Sequence, residues 1–242
     1  MIKIIAMKQT LKTGFAALLL LLAISCKKES SSIQSSGINS VSSTTDVLTN
    51  ASALAGNTVR IGSQVWMTKN LNVSRYRNGD KIPQVKNRAQ WAALTTGAWC
   101  WHNNDSATGA VYGKIYNWYA VNDARGLAPE SWHIPSDSEW TILTTFLGGD
   151  AVAGGKMKET GTAHWLSPNT DATNSSGFTG VAAGNRYNTG SFLYFGIYGW
   201  GWSSSESSGL AWYRRLNYND GGVFRGAADK RDGISVRCVR DY

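Results

Sequence analysis

Nine consecutive residues, Trp132-His133-Ile134-Pro135-Ser136-Asp137-Ser138-Glu139-Trp140, gather a histidine, two serines, an aspartate and a glutamate. A hydrolase could use such groups: a serine attacks once a histidine takes its proton and a carboxylate orients that histidine. The spacing points elsewhere. Ser136 follows Pro135 and stands three residues before Glu139, ahead of an apolar run in which Trp140, Leu143 and Leu147 recur at helical intervals. That is the pattern of a capping box, in which the Ser136 side chain accepts from the Glu139 backbone N–H and the Glu139 side chain accepts from the Ser136 backbone N–H. Asp137 in the first turn suits the positive end of the helix dipole. The stretch predicts a helix start, no catalytic residue, and a protein that is not an enzyme.

Metal chemistry is equally sparse. His102, His133 and His164 are separated by 31 residues each, with no partner at ligand spacing, so a metal site is not expected. Calcium has three loop candidates, His102–Asp105, Asn169–Asn174 and Asn217–Asp220, but none carries the spaced carboxylates of a dedicated loop. Asx-rich turns account for all three, and no cofactor is expected beyond calcium in such a loop.

The remaining chemical signal is aromatic. "YNTGSFLYFGIYGWGW" (187–202) sets Tyr187, Phe192, Tyr194, Phe195, Tyr198, Trp200 and Trp202 among glycines. Sugar rings stack on exposed aromatic faces while a few polar groups orient them, the usual composition of a small-ligand site. The competing reading places these rings in the core. If some are exposed, the candidate ligand-binding residues are Tyr194, Tyr198 and Trp200, with Asn185 and Arg186 beside them.

Those side chains need short strands to hold them. The chain has 242 residues, 26 glycines and only 4 prolines, and its 11 tryptophans all fall between Trp66 and Trp212. Many turns and many large rings suit short strands more than long helices. Val59–Ile61 and Gln64–Trp66 flank Gly62-Ser63 and predict a hairpin with a two-residue turn. "LAWYRRLNYNDGGVF" predicts another, turning at Asn219–Gly222. "ISVRCVRD" predicts a half-buried strand, with Ile234, Val236 and Cys238 on one face and Ser235 and Arg237 on the other. Helices are predicted at "RAQWAALTTG" and "SDSEWTILTTFLGG", the second closed by Gly148-Gly149.

Lys3, Lys8 and Lys12 precede an apolar run from Phe15 to Ile24 that is too short to span a bilayer as a helix. This reads as a leader for export over residues 1–25. "LAISC" resembles the lipobox of bacterial lipoproteins, which implies lipidation at Cys26. Residues 26–57 are Ser-, Thr- and Asn-rich and lack aromatics, a composition that cannot bury a core and reads as a flexible tether. The expected address is the outer membrane, at the cell surface, through the lipid. Removing the five cations and two anions of residues 1–57 from the 24 and 16 leaves 19 and 14, a net of +5. Those cations are scattered, and nucleic acid is not an expected partner. With Cys26 lipidated, Cys100 and Cys238 remain, and in an oxidising compartment a Cys100–Cys238 disulfide is the expected pairing; two buried thiols are the alternative.

Seven ordered segments carry a resemblance: residues 59–83, "WCWHNND" (99–105), "YGKIYNWYAV" (112–121), "APESWHIPSDSEW" (128–140), "NSSGFTGVAAGNR" (174–186), "WSSSE" (202–206) and "GISVRCVRD" (233–241). Together they closely resemble the Fibrobacter succinogenes major paralogous domain, over residues 58–242. That family is similar to the formylglycine-generating enzymes and the C-type lectin-like fold. The resemblance implies an α+β domain with two helices, short antiparallel sheets, long loops and termini close together. It implies no reaction. The formylglycine-generating enzymes carry a cysteine in an "R-C-A-A-R" run; here Arg225-Gly226-Ala227-Ala228-Asp229 puts glycine at that place, so thiol and copper chemistry of that kind is not expected. The expectation is a non-catalytic envelope lipoprotein whose lectin-like domain binds a polysaccharide or adheres to an envelope protein. The alternatives are a structural protein-contact component of a surface assembly and an enzyme of unknown chemistry.

Overall fold

The computed structural model describes residues 57–241. The predicted leader, Cys26 and residues 26–56 of the predicted tether lie outside the described residues. Among the described residues twelve strands are present: β1 (Thr58–Ile61), β2 (Gln64–Met67), β3 (Trp99–Cys100), β4 (Ile115–Tyr116), β5 (Trp132–His133), β6 (Asn185–Arg186), β7 (Phe192–Leu193), β8 (Tyr198–Ser207), β9 (Leu210–Asn217), β10 (Val223–Ala228), β11 (Ile234–Ser235) and β12 (Val239–Arg240). Helices α1 (Arg88–Ala92), α2 (Gly109–Tyr112), α3 (Trp118–Val121), α4 (Asp137–Phe146) and α5 (Asp150–Met157) lie between them. The mixed α+β composition with small antiparallel sheets is as expected; the count of two helices is not.

The strands form four sheets, in the orders β1-β2-β12-β5, β10-β9-β8, β11-β4-β3 and β6-β7. The first sheet joins the two ends of the domain, because Val239 pairs with both Trp66 and His133. Its opening hairpin has the predicted two-residue turn: Ile61 pairs with Gln64, and Gly62 takes φ 59°, which favours glycine. Side chains of β2 alternate between two apolar clusters. Trp66 joins Trp140, Leu143, Trp165 and Phe178; Met67 joins Trp99, Tyr116, Trp118, Trp132 and Trp202. A third cluster surrounds Trp91 with Ala98, Cys100 and Ile115.

Helix α4 begins as predicted. Ser136 Oγ accepts from the Glu139 N–H at 3.2 Å and Glu139 Oε2 accepts from the Ser136 N–H at 2.8 Å. Helix α1 is shorter than predicted and ends before Leu94. Helix α5 had no sequence signal, since Gly154-Gly155 in its interior weakens any helix reading. Those glycines exist for packing. A Cβ on Gly154 would sit 2.0 Å from the Gly222 carbonyl oxygen, and the Gly155 N–H donates to the Gly221 carbonyl at 2.7 Å. The β9–β10 turn thus docks on α5 backbone to backbone.

The segment from Ile234 to Val239 is not a half-buried strand. It breaks into β11 and β12, and Ser235 and Arg237 are as buried as Ile234 and Cys238. Much of this domain is irregular backbone, whose carbonyls need donors. Buried cations supply them. Lys158 Nζ donates to the carbonyls of Thr170, Asn217 and Asp220 at 2.6, 2.9 and 2.8 Å. Arg237, with no carboxylate partner among the described residues, donates to the Phe178 and Thr179 carbonyls and to Asn70 Oδ1. Tryptophan indoles do the same: Trp91, Trp99, Trp118, Trp140, Trp165 and Trp202 each donate to a carbonyl far along the chain.

The Cys100–Cys238 disulfide is absent. Both thiols are free and buried, each packed as a small apolar side chain in a different cluster, Cys100 against Trp91 and Ile115, Cys238 among Tyr116, Trp132 and Val236. Burial pushes both thiols up to about 12.

Candidate functional site

The three-stranded sheet β10-β9-β8 explains the glycine-aromatic alternation. Side chains alternate across a strand, so in "YGWGW" the rings of Tyr198, Trp200 and Trp202 face one side and Gly199 and Gly201 the other. The glycine side accepts the core. A Cβ on Gly201 would lie 2.7 Å from the Trp140 ring, and one on Gly199 3.1 Å from Trp165. The aromatic side grades from core to surface: Trp202 is fully buried, Trp200 and Tyr198 half-buried.

The register completes the surface end of this face. Trp200 pairs with Arg215 across β8 and β9, and Arg215 pairs with Phe224 across β9 and β10. Rings run continuously from one to the next: Tyr194 to Tyr198 at 4.8 Å, Tyr198 to Trp200 at 5.8 Å and Trp200 to Tyr213 at 4.7 Å between centroids. The Arg215 guanidinium sits among them, 4.4 Å from the Tyr198 centroid, 4.5 Å from Phe224 and 5.4 Å from Trp200. Tyr187, Tyr194 and Phe224 are exposed. Burial raises the Tyr213 hydroxyl pKa, with the charge of Arg215 acting against it. Asp232 is buried, accepts from the Asn188 N–H at 2.6 Å, and is pushed up to about 7 by desolvation.

Of the five residues expected to bind ligand, Tyr194, Tyr198 and Trp200 are on this face. Asn185 and Arg186 are not available to a ligand, being 0% and 1% exposed. Arg186 lies between the rings of Trp91 and Phe192 and donates to the carbonyls of Val85, Lys86 and Gly190, so it ties loops together. The face also contains Tyr187, Tyr213, Arg215 and Phe224. Arg215 and Phe224 are outside the aromatic run, and only the cross-strand register places them there.

Around Ser136 the polar groups are occupied. His133 Nε2 lies 2.7 Å from Glu139 Oε1 and its Nδ1 2.6 Å from Asp241 Oδ1, so neither nitrogen is free to take a proton from Ser136. Ser136 Oγ instead lies 2.9 Å from Glu139 Oε2. His164 pairs with Glu159 at 2.6 Å, and His102 is buried against Phe195 with its pKa pulled down to about 4 by desolvation. The Asx-rich stretches form turns in which Asp105, Asn174 and Asp220 accept from the backbone N–H groups of Ala107, Thr179 and Gly222. No group of three His, Cys, Asp or Glu is placed to hold a metal ion among the described residues. A hollow of about 290 Å³ beside the end of α1, lined by Leu94, Tyr119, Asp229, Lys230 and Arg231, is polar. Its cations are already paired, Arg231 with Asp229 and Lys230 with Glu206.

The profile of the Fibrobacter succinogenes major domain matches residues 59–240. The chain belongs to that family. No curated protein and no solved structure matches it. In this Fibrobacter succinogenes major domain the family segments divide between two tasks. "WHIPSDSEW" and "GISVRCVRD" build the β5–β12 seam and the α4 start, while "WSSSE" continues β8 beneath the aromatic face. A Cβ on Gly226 would lie 2.6 Å from the Phe224 ring and 2.7 Å from the Tyr213 hydroxyl oxygen, so a side chain there would have to displace one of those rings. Among the described residues no helix is long and apolar enough to cross a membrane.

Proposed function

We propose that this protein is a non-catalytic binding or adhesion module of the cell envelope that takes a polysaccharide on the aromatic face of β8, β9 and β10. The observation that supports this most directly is the continuous row Tyr194, Tyr198, Trp200 and Tyr213, graded from exposed to buried and stiffened by the sheet beneath. Rigid rings bind sugar faces with little entropic loss, and their hydroxyls hydrogen-bond at the rim. Attachment to the outer membrane at the cell surface through a lipidated Cys26 belongs to the same reading and is supported by the leader and the "LAISC" motif. So does the C-type lectin-like fold, supported by short antiparallel sheets, long loops and a sheet shared by both ends of the domain. The non-catalytic assignment is supported by the occupied nitrogens of His133. No cofactor is needed for stacking, and calcium enters the test as a variable.

The test is binding of the whole protein, purified in detergent, to a panel of polysaccharides with and without calcium. Saturable binding, weakened about tenfold or more in Tyr198→Ala, is expected. Absence of binding to every member shifts the assignment to a protein-contact component of a surface assembly, a reading supported by the exposed Leu193, Phe195 and Leu166.

A further inference from the structure

Arg215 differs from the arginines that the fold engages through hydrogen bonds, and from Arg240, which is exposed and faces the single ring of Trp132. Arg125, Arg214, Arg225 and Arg231 each pair with an aspartate. Arg186 and Arg237 are buried and donate to carbonyls. Arg215 has neither kind of partner: among the described residues none of its side-chain nitrogens makes a hydrogen bond or an ion pair, and only its Nε is shut off from solvent. Beside it the Trp200 Nε1–H is also buried without an acceptor. Yet the guanidinium is not loose, because three rings hold it within 5.4 Å of their centroids. Asp232, the carboxylate of this neighbourhood, is buried and committed to the Asn188 N–H.

A cation held in place, with its outer donors free and rings on either side, is complementary to a carboxylate carried on a sugar ring. A guanidinium fork binds a carboxylate through two parallel hydrogen bonds, and holding the fork in advance reduces the ordering cost. We propose that the ligand is an acidic polysaccharide built of hexuronate units, with the Arg215 Nη groups binding the uronate carboxylate while Tyr198 and Tyr194 stack on the pyranose. This rests on the polysaccharide reading and sharpens it to a charge class. The net charge of +5 over residues 58–242 adds a general attraction for such a polymer.

The experiment compares the whole protein in detergent on polygalacturonate and alginate, on the same polymers with their carboxyls methyl-esterified, and on dextran sulfate. The acids are expected to bind about tenfold or more tightly than their esters at moderate salt. Arg215→Gln should erase that preference, whereas Tyr198→Ala should weaken acid and ester together. Arg215→Lys, which keeps the charge and loses the fork, should retain only part of the preference, and it stands in if Arg215→Gln fails to fold. Equal binding of acid and ester overturns the uronate proposal and leaves the polysaccharide reading standing. Equally tight binding to dextran sulfate, unaffected by Tyr198→Ala, marks general charge attraction and overturns it too. No binding to any polymer, neutral or acidic, overturns both.

Discussion

The imidazole Nδ1 of His133, on β5, lies 2.6 Å from a carboxylate oxygen of Asp241, the residue that follows β12. With Glu139 on its other nitrogen, the ring joins the last strand of the first sheet to the start of α4. Both nitrogens face carboxylates, so the ring donates from both, as an imidazolium does. Burial pulls the His133 pKa down, but the hydrogen bonds it donates to Glu139 and Asp241 outweigh it and leave it above the ordinary histidine value.

A group whose folded pKa is raised stabilises fully below its unfolded value, near 6.5 for histidine, and loses that contribution as pH rises through the folded value. The stabilisation from His133 should therefore be fully present below about pH 6.5 and fall away as pH rises through its raised folded value. His133→Gln should cost roughly 1 kcal/mol at the lower pH, since the ring is partly exposed and such pairs are worth little more. Urea unfolding of both proteins across that range measures it. A difference independent of pH would mean that the ring acts by shape alone.

Gly154 sets helix propensity against packing. Alanine inside a helix ordinarily gains up to about 1 kcal/mol over glycine. Here the new Cβ would meet the Gly222 carbonyl oxygen at 2.0 Å, a backbone atom that cannot swing aside. Overpacking typically costs about 1–3 kcal/mol or more, so Gly154→Ala should destabilise by roughly 2 kcal/mol, seen as a lower urea midpoint at an unchanged slope. A stabilised variant would show that the β9–β10 turn yields.

Cys100 and Cys238 should behave as core residues. In the native protein neither should react with iodoacetamide at pH 8, and both should be labelled once guanidinium unfolds it, as peptide mass mapping would show. Recovery of a Cys100–Cys238 bridged peptide from freshly purified protein would contradict this arrangement. Cys238→Ser should cost about 1–3 kcal/mol by burying a hydroxyl without a partner.

What was legible followed from local rules. The capping box at Ser136 and Glu139, the Gly62-Ser63 turn and the β9–β10 hairpin each depend on residues within a few positions of one another, and each formed. The misses were set by the rest of the molecule. Helix α5 owes its glycines to the turn that docks on it. Arg237, which alternation assigned to a solvent face, is buried because loop carbonyls at Phe178 and Thr179 need donors. The site divided along the same line. Tyr194, Tyr198 and Trp200 could be named from one aromatic run, whereas Arg215 and Phe224 reach it only through strand register. The disulfide was inferred from compartment, and compartment carries no information about which cluster a thiol packs in.

The pairing of β12 between β2 and β5 also bears on when this domain can fold. A chain delivered from its amino end presents the β1–β2 hairpin long before Val239 arrives to pair with Trp66 and His133. An isolated hairpin is marginal in water, and pairings that close so large a loop form slowly. Until its last strand is available, the sheet has no centre and neither adjoining cluster can close. The polypeptide therefore locks only when its last strand arrives.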